Sequence, residues 1–168
     1  NKSVFPGTQG GPLEHIIAAK AYAFREASMP SFVSYQKDVL ENSRALASEM
    51  INCGFKLVTD GTDNHLVLVD LSNKSITGKW AEESLEKVSI TVNKNTIPRE
   101  TLSPFITSGI RLGTPAVTSR GMTVSDMKTV ANYISEALSI EDDETKREDL
   151  RARVENFARS FLLYPDWS

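Results

Sequence analysis

The segment from Gly7 to Pro12 has the residue types of an anion-binding loop. It reads Gly-Thr-Gln-Gly-Gly-Pro before a predicted helix, and Pro12 suits the first helical position, where its missing N–H costs nothing. Glycines let a backbone approach a phosphate closely, and a helix N-terminus offers free N–H groups and a favourable dipole. The segment lacks the Lys-Ser/Thr of a Walker A loop and the spacing of a dinucleotide-binding G-x-G-x-x-G. Phosphate binding and a simple tight turn ahead of a helix both remain open.

Arg111 is the second candidate, because it stands inside an apolar strand between Gly109 and Gly113. A guanidinium is rarely placed toward a protein interior without an anion to accept its hydrogen bonds. If the side chain faces a cleft, a bidentate contact to a carboxylate is the expected use. If it lies on the solvent side of an edge strand, it needs no ligand. The alternation of side chains along a strand leaves both possibilities open.

A third candidate is the polar stretch 91–98, which reads Thr-Val-Asn-Lys-Asn-Thr-Ile-Pro and is followed by Ser103-Pro104-Phe105. Amides, a hydroxyl and an aromatic ring on proline-stiffened loops suit a planar heterocyclic ligand. Surface loops often have the same composition, so this stretch does not by itself indicate a site.

The other reactive residue types do not form a recognisable catalytic or metal site. His15 and His65 lie far apart in the sequence, without acidic or cysteine partners at metal-ligand spacing. No serine stands in a G-x-S-x-G context, so a hydrolase triad is unsupported. Cys53 is the single cysteine, which excludes an intramolecular disulfide framework and a cysteine-based zinc site. We therefore expect no metal site.

The composition restricts the class of protein. The 168 residues include 19 Lys and Arg against 22 Asp and Glu, a formal net charge of −3, and 40% are hydrophobic. No run approaches the roughly 18 consecutive apolar residues of a membrane-spanning helix. A mildly acidic chain without a basic run is not expected to bind nucleic acid. We expect a cytoplasmic protein, and because the sequence opens at Asn1 without Met, we expect it to be part of a longer chain.

Hydrophobic periodicity places the candidate residues on and between helices and short strands. The predicted helices are 13–27, 31–53, 77–87, 123–138 and 145–161, and the tail 164–168 is expected to end the last one. The predicted strands are 55–58, 65–70, 89–92 and 108–112. Because the strands are few and short, the pattern predicts a small α+β layer domain rather than a doubly wound sheet.

Four phrases of the sequence together resemble the serine hydroxymethyltransferase family. They are Val-Phe-Pro-Gly-Thr-Gln-Gly-Gly-Pro at 4–12, Gly-Thr-Asp-Asn-His-Leu-Val-Leu-Val-Asp-Leu at 61–71, Ile-Thr-Val-Asn-Lys-Asn at 90–95, and Thr-Ser-Gly-Ile-Arg-Leu-Gly-Thr-Pro-Ala at 107–116. They match the family in order and spacing across nearly the whole chain, so the set is far more specific than any one phrase. The resemblance covers only the C-terminal part of the family's chain.

This resemblance implies a fold-type I pyridoxal-phosphate transferase of one-carbon metabolism and amino-acid biosynthesis. Such an enzyme, a glycine hydroxymethyltransferase, interconverts serine and glycine and passes a one-carbon unit to tetrahydrofolate. Residues 1–28 would be the end of its large cofactor domain, with the glycine-rich loop and a helix. Residues 29–168 would form the connecting helix and the small C-terminal domain, a short, mainly antiparallel sheet with helices packed on it. The implied assembly is a homodimer or larger, with active sites shared between subunits.

The resemblance also implies roles for individual residues. Arg111 matches the arginine that binds the carboxylate of the amino-acid substrate. Gly10 and Gly11 match the loop that reaches across the dimer interface to the cofactor phosphate of the partner subunit. The positions that match the folate site are Asn95, Ser103, Pro104 and Phe105.

No catalytic residue of the family falls within this sequence. By the resemblance, the Schiff-base lysine, the aspartate paired with the pyridine nitrogen, the histidine stacked on the ring, and the catalytic glutamate and tyrosine lie upstream of Asn1. We therefore expect the 168 residues alone to be inactive. The alternative is a free-standing, non-catalytic α+β binding or interaction domain that has the motifs without the chemistry. A Thr-rich, lysine-bearing segment upstream of Asn1 would distinguish the two.

Overall fold

The computed structural model describes residues 1–163, so the predicted role of the tail 164–168 lies outside the described residues. Within that range the helices are α1 (Glu14–Ala27), α2 (Pro30–Asn52), α3 (Gly78–Glu86), α4 (Pro115–Ser119), α5 (Val124–Ala137) and α6 (Glu144–Arg159). The strands are β1 (Lys56–Leu57), β2 (Leu66–Asp70), β3 (Asn93–Asn95) and β4 (Gly109–Gly113). The chain divides into two compact units, Asn1–Gln36 and Lys37–Ser168. The predicted domain division between residues 28 and 29 stays a prediction.

The first unit contains the glycine-rich loop, α1 and the first turns of α2. None of the residues of α1 is buried, and Ile17, Tyr22 and Phe24 are 57%, 72% and 72% exposed. The predicted break between the two helices is confirmed, because α1 ends at Ala27 and α2 begins at Pro30. Proline fits this first helical position since no intrahelical bond is lost there.

The second unit is built on a sheet of strand order β1-β2-β4-β3, in which every neighbouring pair is antiparallel. The register sets Val67 opposite Leu112 and Val69 opposite Ile110. Together with the helices, this antiparallel sheet confirms the predicted α+β class. The strand that carries Arg111, β4, is paired on both sides and is therefore an interior strand.

The hydrophobic core lies on one face of this sheet. Val67, Val69 and Ile110 are fully buried and Leu112 is 6% exposed. Helices α2, α3, α5 and α6 cover this face with buried side chains that include Met50, Leu85, Met127, Ile134 and Leu150. Burying each such side chain contributes about 1.5–3 kcal/mol. Because side chains alternate along a strand, the same register turns Leu66, Leu68 and Arg111 to the opposite face.

The helix starts follow their capping residues. The Thr77 hydroxyl accepts the backbone N–H of Trp80 at 3.2 Å, so α3 begins as predicted. Thr123 and Asp126 form a capping box at the start of α5. The Asp143 carboxylate accepts the N–H of Lys146 at 3.1 Å, which sets the start of α6 one residue before the predicted one.

The predicted strand 89–92 is wrong. The N–H groups of Ser89 and Ile90 return to the carbonyls of Glu86 and Leu85 at 3.0 Å each, and Ser89 has a left-handed φ of 62°. These residues therefore complete the turn after α3, and pairing with β4 begins only at Asn93. The apolar residues of this segment pack on the core as loop side chains. Helix α4 and a 3₁₀ turn at Ser72–Lys74 were not predicted.

Candidate functional site

Arg111 lies at the centre of β4, opposite Leu68 of β2 and Asn93 of β3. Its neighbours Ile110 and Leu112 point into the core, so the arginine points to the open face of the sheet and is exposed. The alternative of an edge strand is therefore wrong. The arginine stands on an interior strand whose position is fixed by hydrogen-bonded strands on both sides.

The guanidinium of Arg111 is free to bind a ligand. In the described part of the chain its side chain has no hydrogen bond and no ion pair. Three other arginines share this property, and five are engaged. Arg120 donates to the carbonyls of Phe161 and Ala158 at 2.8 and 2.7 Å. Arg151 pairs with Glu155 at 2.8 Å. A planar guanidinium with unused donors matches a carboxylate, which can accept two parallel hydrogen bonds.

A cavity of about 540 Å³ opens beside Arg111 on this face. Asn95, Leu68 and the loop that precedes β2 line it together with the arginine. The structure thus brings together two of the predicted site residues, Arg111 and Asn95. Whether they bind substrate stays a prediction.

The loop before β2 is held in place by its own side chains. The Thr62 hydroxyl donates to the carbonyl of Leu66 at 2.6 Å, and the Asn64 side-chain oxygen accepts the Leu66 N–H at 2.8 Å. Thr59 donates to the carbonyl of Gly61 at 2.7 Å. These bonds tie the Gly-Thr-Asp-Asn phrase to the start of β2 and fix one wall of the cavity.

A second cavity of about 400 Å³ is enclosed by residues 89–93, strand β4 and helices α5 and α6. Its lining is mostly apolar and includes Met127, Tyr133 and Phe157, with Arg111 at its border. Arg111 therefore borders two cavities, and the sequence indicated neither.

Asn95 is positioned through its neighbour Lys94. The backbone N–H and the ammonium of Lys94 donate to the two oxygens of Glu82 on α3, at 3.0 and 2.6 Å. The Lys94 side-chain and backbone hydrogen bonds hold the pKa of Glu82 below its usual value. The Asn95 amide donates to the carbonyl of Thr96 at 2.7 Å. Short as it is, β3 is therefore anchored to α3 as well as to β4.

Ser103, Pro104 and Phe105 lie on the loop between β3 and β4, apart from the cavity that Arg111 shares with Asn95. The Ser103 hydroxyl accepts the N–H of Phe105 at 3.3 Å, and the Ser103 carbonyl accepts those of Ile106 and Thr107 at 2.9 and 3.0 Å. This turn leaves the Phe105 ring 81% exposed. The structure thus presents an open aromatic face but does not bring it to Arg111.

Glu100, on the same loop, was missed by the sequence reasoning. Its carboxylate accepts the N–H groups of Leu102 and Ser108 at 3.0 and 2.8 Å and the Ser108 hydroxyl at 2.7 Å. The Leu102 N–H and the Ser108 hydroxyl, with further backbone donors, lower the pKa of Glu100 to about 2. An acidic residue in a polar loop gives no signal of which backbone groups it will reach.

Gly10 and Gly11 belong to the first unit. Both are exposed, and a Cβ added at either would meet no atom within 4 Å. Leu13, which precedes α1, provides no side-chain cap for that helix. The backbone at both glycines is thus open to a phosphate.

Neither a metal site nor a membrane span is found in residues 1–163. Within these residues, no group of three or more His, Cys, Asp or Glu side chains is placed to hold a metal ion. None of the described helices is both long and apolar enough to cross a bilayer.

Two comparisons with known proteins find the same family. The family model described as serine hydroxymethyltransferase matches residues 1–134. A protein of Nostoc punctiforme named serine hydroxymethyltransferase is 54% identical over 165 residues, which are 98% of this chain. The matched region is 39% of that protein, so the chain spans well under half the length of this relative.

Proposed function

This chain belongs to the serine hydroxymethyltransferase family, and from that premise we propose that it forms the substrate-carboxylate and folate side of such an enzyme's active site. The full-length protein that contains these residues, here called the parent protein, interconverts serine and glycine and transfers a one-carbon unit to tetrahydrofolate. The observation that carries this proposal is the unpaired guanidinium of Arg111 on the open face of the sheet.

Arg111 binds the carboxylate of serine or glycine in this proposal. Its two flanking strands fix the backbone, and its donors have no hydrogen-bond partner among the described residues. A bidentate contact of this kind orients the amino acid as well as binding it. The cavity shared with Asn95 offers room beside the guanidinium.

The residues of the first unit fit a cofactor phosphate. Gly10 and Gly11 present exposed backbone with no side chain in the way, which suits close approach of a phosphate. In a homodimer or larger assembly, this loop contacts the cofactor held by the partner subunit. When bound, pyridoxal phosphate supplies an electron sink for bond cleavage at the amino-acid substrate. The lysine that attaches it and the other catalytic groups come from outside the 168 residues.

The folate contacts come from β3 and the loop that follows it. Asn95 supplies an amide, and the exposed Phe105 ring supplies a flat apolar face for a planar heterocycle. The Ser103 hydroxyl holds the turn that carries this ring, and Pro104 lies within that turn.

An assay of the parent protein tests this proposal against the alternative of a free-standing binding domain. We expect the parent protein, supplied with pyridoxal phosphate and tetrahydrofolate, to convert serine to glycine. We expect residues 1–168 alone to show no turnover. A parent protein that binds serine without converting it would contradict the enzyme and support the binding domain.

A further inference from the structure

The loop that joins β3 to β4 is held in a conformation that its sequence does not favour. Arg99 and Thr107 both have left-handed backbones, with φ of 62° and 58°. For a β-branched residue such as Thr107 this conformation is a genuine outlier, and surrounding contacts must enforce it. Thr107 is only 2% exposed, so the conformation is fixed inside the fold rather than at a free tip.

Glu100 provides contacts that enforce this conformation. Besides the donors from Leu102 and Ser108, its carboxylate accepts the N–H of Thr101 at 3.0 Å and that of Ile97 at 3.3 Å. One side chain therefore bonds the beginning of the loop at residue 97, its middle at 101 and 102, and its end at 108. A charged carboxylate makes such bonds stronger than a neutral acceptor would. With a pKa lowered to about 2, Glu100 stays charged in acidic solution as well as at neutral pH.

The rest of the fold does not depend on this carboxylate. The carbonyls of Thr107 and Ile106 accept the N–H groups of Gly78 and Lys79 at 2.9 Å each, which attaches the loop's end to the start of α3. The ladder with β2 holds Arg111 independently. Loss of the Glu100 charge should therefore loosen the middle of the loop, which carries Ser103-Pro104-Phe105, and leave the strand with Arg111 in place.

We propose that Glu100 is a positioning residue for the folate side of the site. Its carboxylate gathers the backbone of residues 97–108 and so presents the Ser103–Phe105 turn in the conformation that binds the folate. The inference rests on the proposed function, and it assigns to Glu100 an effect on folate that is separate from amino-acid binding.

The test compares Glu100→Gln with Glu83→Gln in the parent holoenzyme. The glutamine keeps one acceptor oxygen but places an N–H₂ donor where the carboxylate accepted backbone N–H groups. Glu83 is the control because its side chain makes only an exposed contact with Lys79 at 3.8 Å. We expect Glu100→Gln to raise the KM for tetrahydrofolate about tenfold, with the KM for serine and kcat at saturating folate within about twofold of wild type. Hydrogen exchange at the Leu102 and Ser108 amides should accelerate in Glu100→Gln. The KM of Glu100→Asp for tetrahydrofolate should lie between those of wild type and Glu100→Gln.

Two results would overturn the inference while the proposed function stands. One is an unchanged folate KM in an active enzyme. The other is an equal rise in the KM for folate and for serine, which indicates general damage. Wild-type protein without folate-dependent turnover would instead overturn the proposed function, and this inference with it.

Discussion

Three acidic side chains of the second unit are each held by more than one hydrogen bond, whereas the Arg111 side chain has none among the described residues. Asp70, at the end of β2, accepts the ammonium of Lys56 at 2.7 Å and the N–H of Ser72 at 2.9 Å. Glu82 and Glu100 are each bonded to more than one donor as well. In the chain as far as residue 163, the guanidinium of Arg111 has no such partner. A guanidinium with unused donors is suited to bind an anionic substrate.

Asp70 supports a prediction about stability and pH. Burial alone would raise the pKa of Asp70, but hydrogen bonds from Lys56 and Ser72 outweigh it and hold the pKa below its ordinary value. This contribution is therefore present above pH 4, roughly the pKa of an unfolded aspartate, and is lost as pH falls through the folded value. We expect Asp70→Asn to lower the free energy of unfolding at pH 7 by about 1–3 kcal/mol.

Denaturant unfolding of wild type and variant at pH 7 and at pH 3 checks this expectation. The difference in free energy of unfolding between wild type and Asp70→Asn should be smaller at pH 3, where the wild-type carboxylate is being protonated. Glu83→Gln, which removes only an exposed contact, serves as the control. If Asp70→Asn lowers the free energy of unfolding equally at both pH values, the charge of Asp70 does not stabilise the fold.

At the scale of elements, the site depends on how tightly β4 is held between its neighbours. A Cβ on Gly109 would lie 2.7 Å from the carbonyl oxygen of Val69 and 3.0 Å from that of Asn95. Both atoms are backbone, so they cannot turn aside as a side chain could. The start of the strand that carries Arg111 therefore requires glycine.

Two glycines of the same strand give a matched prediction. Gly109→Ala should force β4 away from β2 or β3 and destabilise the protein by about 1–3 kcal/mol. It should also raise the KM for serine, because Arg111 lies two residues further along the strand. Gly113→Ala would place its Cβ 3.4 Å from the flexible end of Leu66 and should have little effect. Thermal unfolding and serine kinetics of both variants test this, and equal behaviour of the two would contradict it.

The elements themselves could largely be predicted, because local rules determine them. The predicted helix starts at Thr77 and Thr123 agree with the structure, because a threonine hydroxyl favours the position before a helix, where it accepts a backbone N–H. The prediction of a strand at 89–92 was wrong because apolar loop residues that pack on the core have the same sequence pattern as a buried strand. The true strand, Asn93–Asn95, is polar and is defined by its partner β4 rather than by its own composition.

At the scale of the whole molecule, the proposed site is larger than this chain. The chain spans 39% of the relative's length, and the glycine loop and Arg111 belong to two separate compact units. Local sequence identified Arg111 as unusual. It could not predict that Asn95 shares a cavity with it, or that Glu100 organises the loop, because both depend on contacts between distant residues. The roles of Gly10, Gly11 and Phe105 stay predictions.

The most direct test of the account is the carboxylate preference of the parent holoenzyme with Arg111→Ala. Titration with serine and with serinamide, which lacks the carboxylate, separates recognition of this group from all other contacts. We expect the variant to lose about 2–5 kcal/mol of binding free energy for serine and almost none for serinamide. Arg151→Ala, which removes a guanidinium paired on the surface of α6, should leave both affinities unchanged. If Arg111→Ala retains the wild-type preference for serine over serinamide, Arg111 does not bind the substrate carboxylate and the central claim is wrong.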